Sequence, residues 1–208
     1  MTSPPVAAAS YTLVTPAEWW RIPLQPEERR HASVARLVER QFRGVDDQPL
    51  LKRDTAQRLR SSADEAAQQA GGLELFVSTQ LIAGVPLGVS LLVSMLPAGA
   101  MSSLDRLHDA LAGGATDGPP ELARETIHAG PVLRRRRTVR PGADDPAQEL
   151  PRSVVDYWVP VPGDGGMLQL SFSTPMPDQL AEAMVELFDA VTASLRWKQP
   201  TTPEGTPR

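Results

Sequence analysis

The chain has 208 residues, 41% of them hydrophobic, and a formal net charge of −4, which suits one domain with tails and is too apolar for disorder throughout. It contains no cysteine, which rules out disulfides, thiolate nucleophiles, cysteine-ligated zinc, iron–sulfur clusters and a cysteine-linked lipid anchor. The negative charge argues against general nucleic-acid binding, and the most apolar stretch, Leu81 to Leu96, is too short and too interrupted by Gly and Pro to insert in a membrane.

Residues 1–9 read as a flexible tail with neither a basic start nor a long apolar segment, so no secretory signal is expected and the location is read as cytoplasmic. Tyr11-Thr-Leu-Val-Thr15 is a short strand stopped by Pro16, and Trp19-Trp20-Arg21-Ile22 a second strand or turn. From Glu27 to Arg43 the period is helical, with Val34, Leu37, Val38 and Phe42 on one face and Arg29, Arg36, Arg40 and Arg43 opposite. His31 falls on the apolar side, where a packed or partly exposed imidazole is expected. A second helix spans about Pro49 to Ala70 and ends at Gly71-Gly72.

The period then becomes two. Leu73, Leu75 and Val77 pair with the run from Val85 to Met95 as a β-hairpin with one buried face. Met101 to Ala112 is a short helix, and 113–120 a loop. Leu122–His128 and Val132–Val139 are strands, followed by a polar loop from Pro141 to Pro151. Val154–Val161 and Met167–Ser173 form another hairpin around Gly163-Asp-Gly-Gly166, where glycine supplies the positive φ of the turn. A final helix follows Pro175 and Pro177, with Leu180, Met184, Leu187, Phe188, Val191 and Leu195 as its apolar stripe. Beyond Trp197 the chain reads as disordered. The fold class is therefore α+β: one domain over 10–197, an antiparallel sheet built from hairpins with helices packed on it.

Tyr157-Trp-Val-Pro-Val-Pro162, Leu168-Gln-Leu-Ser-Phe-Ser-Thr-Pro175 and Leu187-Phe-Asp-Ala-Val191, with the early segment Tyr11 to Trp20, resemble actinobacterial proteins of the LpqN and PsbP-like α/β-sandwich group. The resemblance implies an antiparallel sheet flanked by helices, in a fold group used mostly to bind other proteins or assemble complexes. It carries no catalytic residue to this chain, and the chain lacks the cysteine of the lipoproteins.

Charge is segregated along the sequence. Residues 27–60 hold nine basic and six acidic side chains, 134–140 five arginines and no acid, and 141–208 ten acids and four bases. His31, His108 and His128 are not spaced as a metal pair, and no P-loop, G-x-G-x-x-G, G-x-S-x-G or HExxH is present. No cofactor and no metal are expected. Asp46-Asp47 and Asp144-Asp145 read as solvated loop charge.

The candidate binding residues are Trp19, Trp20, Arg134, Arg135, Arg136, Arg137 and Arg140. The arginines suit an acidic partner or phosphate, or else a strand kept soluble by its charge. Alternation sends Arg134 and Arg136 to one face and Arg135 and Arg137 to the other. At most one of the two indoles points inward; the other is covered by a helix or is an exposed anchor. The expected role is a non-enzymatic protein-binding or adaptor domain, an accessory of an actinobacterial secretion or envelope system. Alternatives are a small-ligand carrier or a hydrolase or transferase without a motif.

Overall fold

The computed structural model describes residues 10–44, 47–69, 71–82, 85–99, 103–113, 121–140, 151–163, 166–176 and 178–198. The expected tails at 1–9 and 199–208, most of the 113–120 loop, and Asp46, Asp144 and Asp145 lie outside them. In chain order the elements are β1 (Tyr11–Thr12), β2 (Trp19–Pro23), α1 (Glu27–Gln41), α2 (Pro49–Gln68), β3 (Gly72–Ser78), β4 (Leu81–Ile82), β5 (Val85–Pro86) and β6 (Ser90–Leu96). There follow α3 (Leu104–Gly113), β7 (Glu121–Ile127), β8 (Gly130–Val139), β9 (Arg152–Pro160), β10 (Met167–Thr174), α4 (Asp178–Ala193) and β11 (Arg196–Trp197).

The main sheet has seven strands in the order β2-β3-β6-β10-β9-β8-β7, all paired antiparallel. Strands β7 to β10 form a meander, in which the β7–β8 and β9–β10 connections turn the chain straight back beside itself and β9 pairs with β8 after the longer stretch 140–151. The helices lie on both faces. On one, Ile22, Leu24 and Leu75 pack with Val34, Leu37 and Val38 of α1 and Ala63 and Ala66 of α2, while Leu107 of α3 packs on Leu133, Trp158 and Met167. On the other, Val185, Phe188, Val191 and Leu195 of α4 and its end cover Leu91, Val155, Tyr157, Leu170 and Phe172.

The helices start and stop where backbone chemistry dictates. Glu27 and Glu28 stand in the first turn of α1, where free amides favour negative charge. Pro49 opens α2 at a position with no intrahelical amide bond to lose. In α4, Phe188 stacks on Phe172 with centroids 4.6 Å apart, and Tyr157 meets Phe172 edge-on at 5.6 Å. Each such fully buried side chain contributes roughly 1.5–3 kcal/mol of gross transfer free energy.

Several expectations are corrected. The β3/β6 pair is buried on both faces, since Leu75 and Leu92 meet α1 and α2 while Phe76 and Leu91 meet the α4 side. The run from Val85 to Met95 is not one strand: the chain leaves strand geometry at Leu87–Val89 although both side chains stay buried in the core. Tyr11 and Thr12 join no other early strand. They pair with Trp197 and Arg196, and the Lys198 amide donates to the Ser10 carbonyl at 2.8 Å, so order persists past Trp197. Leu180 is 48% exposed, and the inward stripe of α4 runs instead through Ala181, Val185, Phe188 and Val191. Helix α3 begins at Leu104. Among the described residues no helix is long and apolar enough to cross a membrane.

Candidate functional site

Strand β8 carries the arginine run, and its pleat divides the run as the alternation requires. Arg134 and Arg136 point to the α4 face. Arg134 Nε donates to Asp189 Oδ1 of α4 at 2.9 Å, and its Nη1 to Glu121 of β7 at 3.2 Å. The Tyr157 hydroxyl donates to the same Asp189 oxygen at 2.5 Å. Arg136 forms a two-pronged pair with Glu182, about two helical turns toward the start of α4, at 2.9 and 2.5 Å.

These bonds bias proton occupancy. Burial, reinforced by the Asp189 carboxylate, pushes the Tyr157 phenol well above its ordinary range. Burial is the largest single influence on Arg134 and opposes its charge, yet the bond and charge of Asp189 together with Tyr157 outweigh it in sum and raise the guanidinium. The mutual bond of Arg136 and Glu182 raises the arginine and lowers the acid. With a side chain only 8% exposed, Arg134 is a brace between sheet and helix and presents almost no surface to a partner.

Arg135 and Arg137 face the side that carries α1, α2 and α3. Leu92, Ser171, Asp156, Arg135 and Leu122 stand side by side in one row across the sheet. Asp156, 1% exposed, accepts from Arg135 Nη2 at 2.6 Å and from the Ser171 hydroxyl at 2.6 Å, and Arg137 Nε lies 3.5 Å away. The Arg135 guanidinium also sits 5.2 Å from the centre of the Trp158 ring, a favourable cation–π contact. Two guanidinium groups thus share one buried carboxylate. Arg137 is 41% exposed in its side chain, and Arg140 is exposed.

Both tryptophans are covered by helices. Trp19 packs between Phe172 and Phe188 at 6.2 and 6.4 Å. Trp20 turns to α1, where its Nε1 donates to Ser33 Oγ at 3.1 Å and the Arg40 guanidinium lies 5.6 Å from the ring centre. Neither is an exposed anchor.

One cluster was not anticipated. Arg30, with a side chain 9% exposed, donates from Nε to Asp64 at 2.7 Å and from Nη1 to the Leu24 carbonyl at 2.6 Å. His31 Nε2 lies 3.1 Å from the same Asp64 oxygen, and its Nδ1 3.8 Å from Glu27. The Arg30 bond, partly offset by desolvation, holds the Asp64 carboxyl below its ordinary value. Gln25, Glu27, Arg30, Asp64, Ala67 and Gln68 line an open cleft of about 430 Å³. The sequence held a signal for this pair: Arg30 lies four residues before Val34 and seven before Leu37, on the buried face, and a charge there needs a partner. Asp156 gave the same signal, as a lone acid inside the apolar run of β9.

His108 lies 3.3 Å from Asp109, and His128 is exposed at the β7–β8 turn. Among the described residues no group of three His, Asp or Glu is placed to hold a metal ion. No protein-family model matches the chain, and no curated protein matches it.

Proposed function

We propose that this chain is a protein-binding or adaptor domain whose partner offers an acidic surface. The observation behind the reading is the imbalance on the α1–α2–α3 side of the sheet. Arg135 and Arg137 share the single carboxylate of Asp156, and the charge left over is presented to solvent by Arg137, with Arg140 beyond it. Exposed guanidinium groups fit carboxylates of a partner with good geometry and steer its approach. The sheet and α4 supply a rigid base, because the neighbouring arginines are already bonded to Asp189 and Glu182.

The cytoplasmic location expected from the sequence belongs to the same proposal, and an accessory role beside an actinobacterial secretion or envelope system extends it through the resemblance alone. The test is cross-linking with mass spectrometry on partners captured by the full chain, compared with Arg137→Ser/Arg140→Ser. Cross-links from an acidic protein to the β8 end, reduced in the variant, support the reading. Capture unaffected by the variant removes these two residues from the interface. A second reading, a small-ligand carrier, is favoured by the cleft at Arg30 and Asp64. Native mass spectrometry of the purified chain separates the two: a co-purifying small molecule supports the carrier, and the bare mass goes against it.

A further inference from the structure

We propose that the half of the α1–α2 hairpin nearest its turn is a second docking surface, for an acidic protein segment that also carries an apolar side chain; this rests on the binding role above. The distribution of ion pairs separates this surface from the sheet. On β8 every guanidinium from Arg134 to Arg137 has a carboxylate oxygen within 3.5 Å. On the hairpin Arg36, Arg43, Arg53, Arg58 and Arg60 are exposed, and among the described residues no carboxylate oxygen lies within 4.0 Å of any of them. Glu39 is engaged by Lys52 at 2.8 Å, which leaves Asp47 and Asp54 as the other described acids of this half. Apart from Arg137, which is half-exposed and shares Asp156 with Arg135, the side chains that bind acids inside the fold and those that face an acid outside it are different sets.

The surface has an apolar component as well. Leu50 and Leu51 are 76% and 48% exposed at the start of α2, directly before Lys52 and Arg53. The inner faces of both helices are already buried, through Val34, Leu37 and Val38 on α1 and Ala63 and Ala66 on α2. The hairpin therefore has no spare apolar face with which to lie in a bilayer as an amphipathic helix does. It also offers no exposed aromatic ring for base stacking, since Phe42 is half-buried and packs toward the core. Arginine forks beside two leucines fit a polypeptide in which carboxylates flank a hydrophobic residue. The hairpin and the exposed Arg137 lie on the same side of the sheet, so one partner can reach both.

The test is fluorescence anisotropy of the full chain with a labelled peptide of glutamates interrupted by leucine, at low and high salt. Binding weakened by salt is expected in the wild type. Arg36→Glu/Arg58→Glu/Arg60→Glu is expected to weaken it roughly tenfold or more, and Leu50→Ser/Leu51→Ser roughly fivefold. Arg36→Lys/Arg58→Lys/Arg60→Lys keeps the charge and should retain most of the affinity. All positions are exposed, and circular dichroism confirms that each variant is folded. Undiminished binding by the folded glutamate variant overturns the hairpin surface, as does tighter binding of an oligonucleotide or an anionic vesicle than of the peptide. If only Arg137→Ser/Arg140→Ser loses the peptide, the hairpin surface fails and the binding role stands. A wild type that takes no acidic peptide at either salt concentration sinks both.

Discussion

Asp189 is the residue whose loss should show most clearly how the last helix is held. In Asp189→Ala the Tyr157 hydroxyl, on a residue 1% exposed, loses its acceptor, and an unsatisfied buried hydroxyl costs about 1–3 kcal/mol. Arg134 loses its shorter ion pair but keeps Glu121 at 3.2 Å, whose side chain is 62% exposed. That remaining partner, and the 41% exposure of Asp189 itself, reduce the cost of breaking a buried pair to about 1–2 kcal/mol. The sum is roughly 2–5 kcal/mol, and a domain of this size loses about 2–4 °C of melting temperature per kcal/mol. Urea unfolding should report the free energy, and calorimetry a drop of roughly 4–20 °C. A cycle with Tyr157→Phe should give a coupling of at least about 0.5 kcal/mol, since the Tyr157 hydroxyl donates directly to the Asp189 carboxylate. Ultraviolet titration should show the phenol ionising at lower pH in Asp189→Ala, because one of the causes holding its proton has gone. A melting temperature within about 2 °C of wild type, or no coupling in the cycle, would refute the brace.

Three further outcomes follow from the same geometry. Asp64→Ala strands the buried Arg30 guanidinium and should cost about 1–3 kcal/mol in urea unfolding, discounted because Asp64 is itself 37% exposed. Tyr11 and Tyr157 both have raised folded-state values, from burial first and a neighbouring carboxylate second. The unfolded chain releases their protons first, so stability should hold below roughly pH 10 and fall as pH rises above it; a flat stability profile from neutral to strongly alkaline pH counts against both environments. Gly71 has φ +76° and a Cβ there collides with the Met95 carbonyl oxygen, whereas Gly163 has φ +74° with nothing within 4 Å. Gly163→Ala should therefore cost only about 1–2 kcal/mol of backbone strain, and Gly71→Ala distinctly more, measured by comparing the two unfolding midpoints.

The meander β7 to β10 was legible because its strands are separated by visible turns, and β10 alternates Leu168, Leu170 and Phe172 with polar residues. Strand order was not. The placement of β6 against β10 joins residues far apart in the chain through their packing, for which no local pattern exists. Val154 to Val159 is buried at every position because helices and long arginines cover both faces, so period two is erased there. The arginine run was legible as chemistry, and its division between faces followed from the pleat. Its partners were not, because Asp156, Asp189 and Glu182 are ordinary acids until the register aligns them with β8. The pair of Arg30 and Asp64 was half visible, as a charge on the wrong side of a helix.

The short pairing of β1 with β11 has a topological consequence. Tyr11 stands opposite Trp197, the Tyr11 hydroxyl donates to Glu74 in β3 at 3.0 Å, and the Trp197 indole donates to the Ala129 carbonyl at 3.0 Å. The two extremities of the domain therefore emerge as neighbours, and a linker of a few residues suffices to join them into a ring. A head-to-tail cyclised form of this domain, or a rearranged gene opened at another surface turn, keeps every strand of the sheet in place.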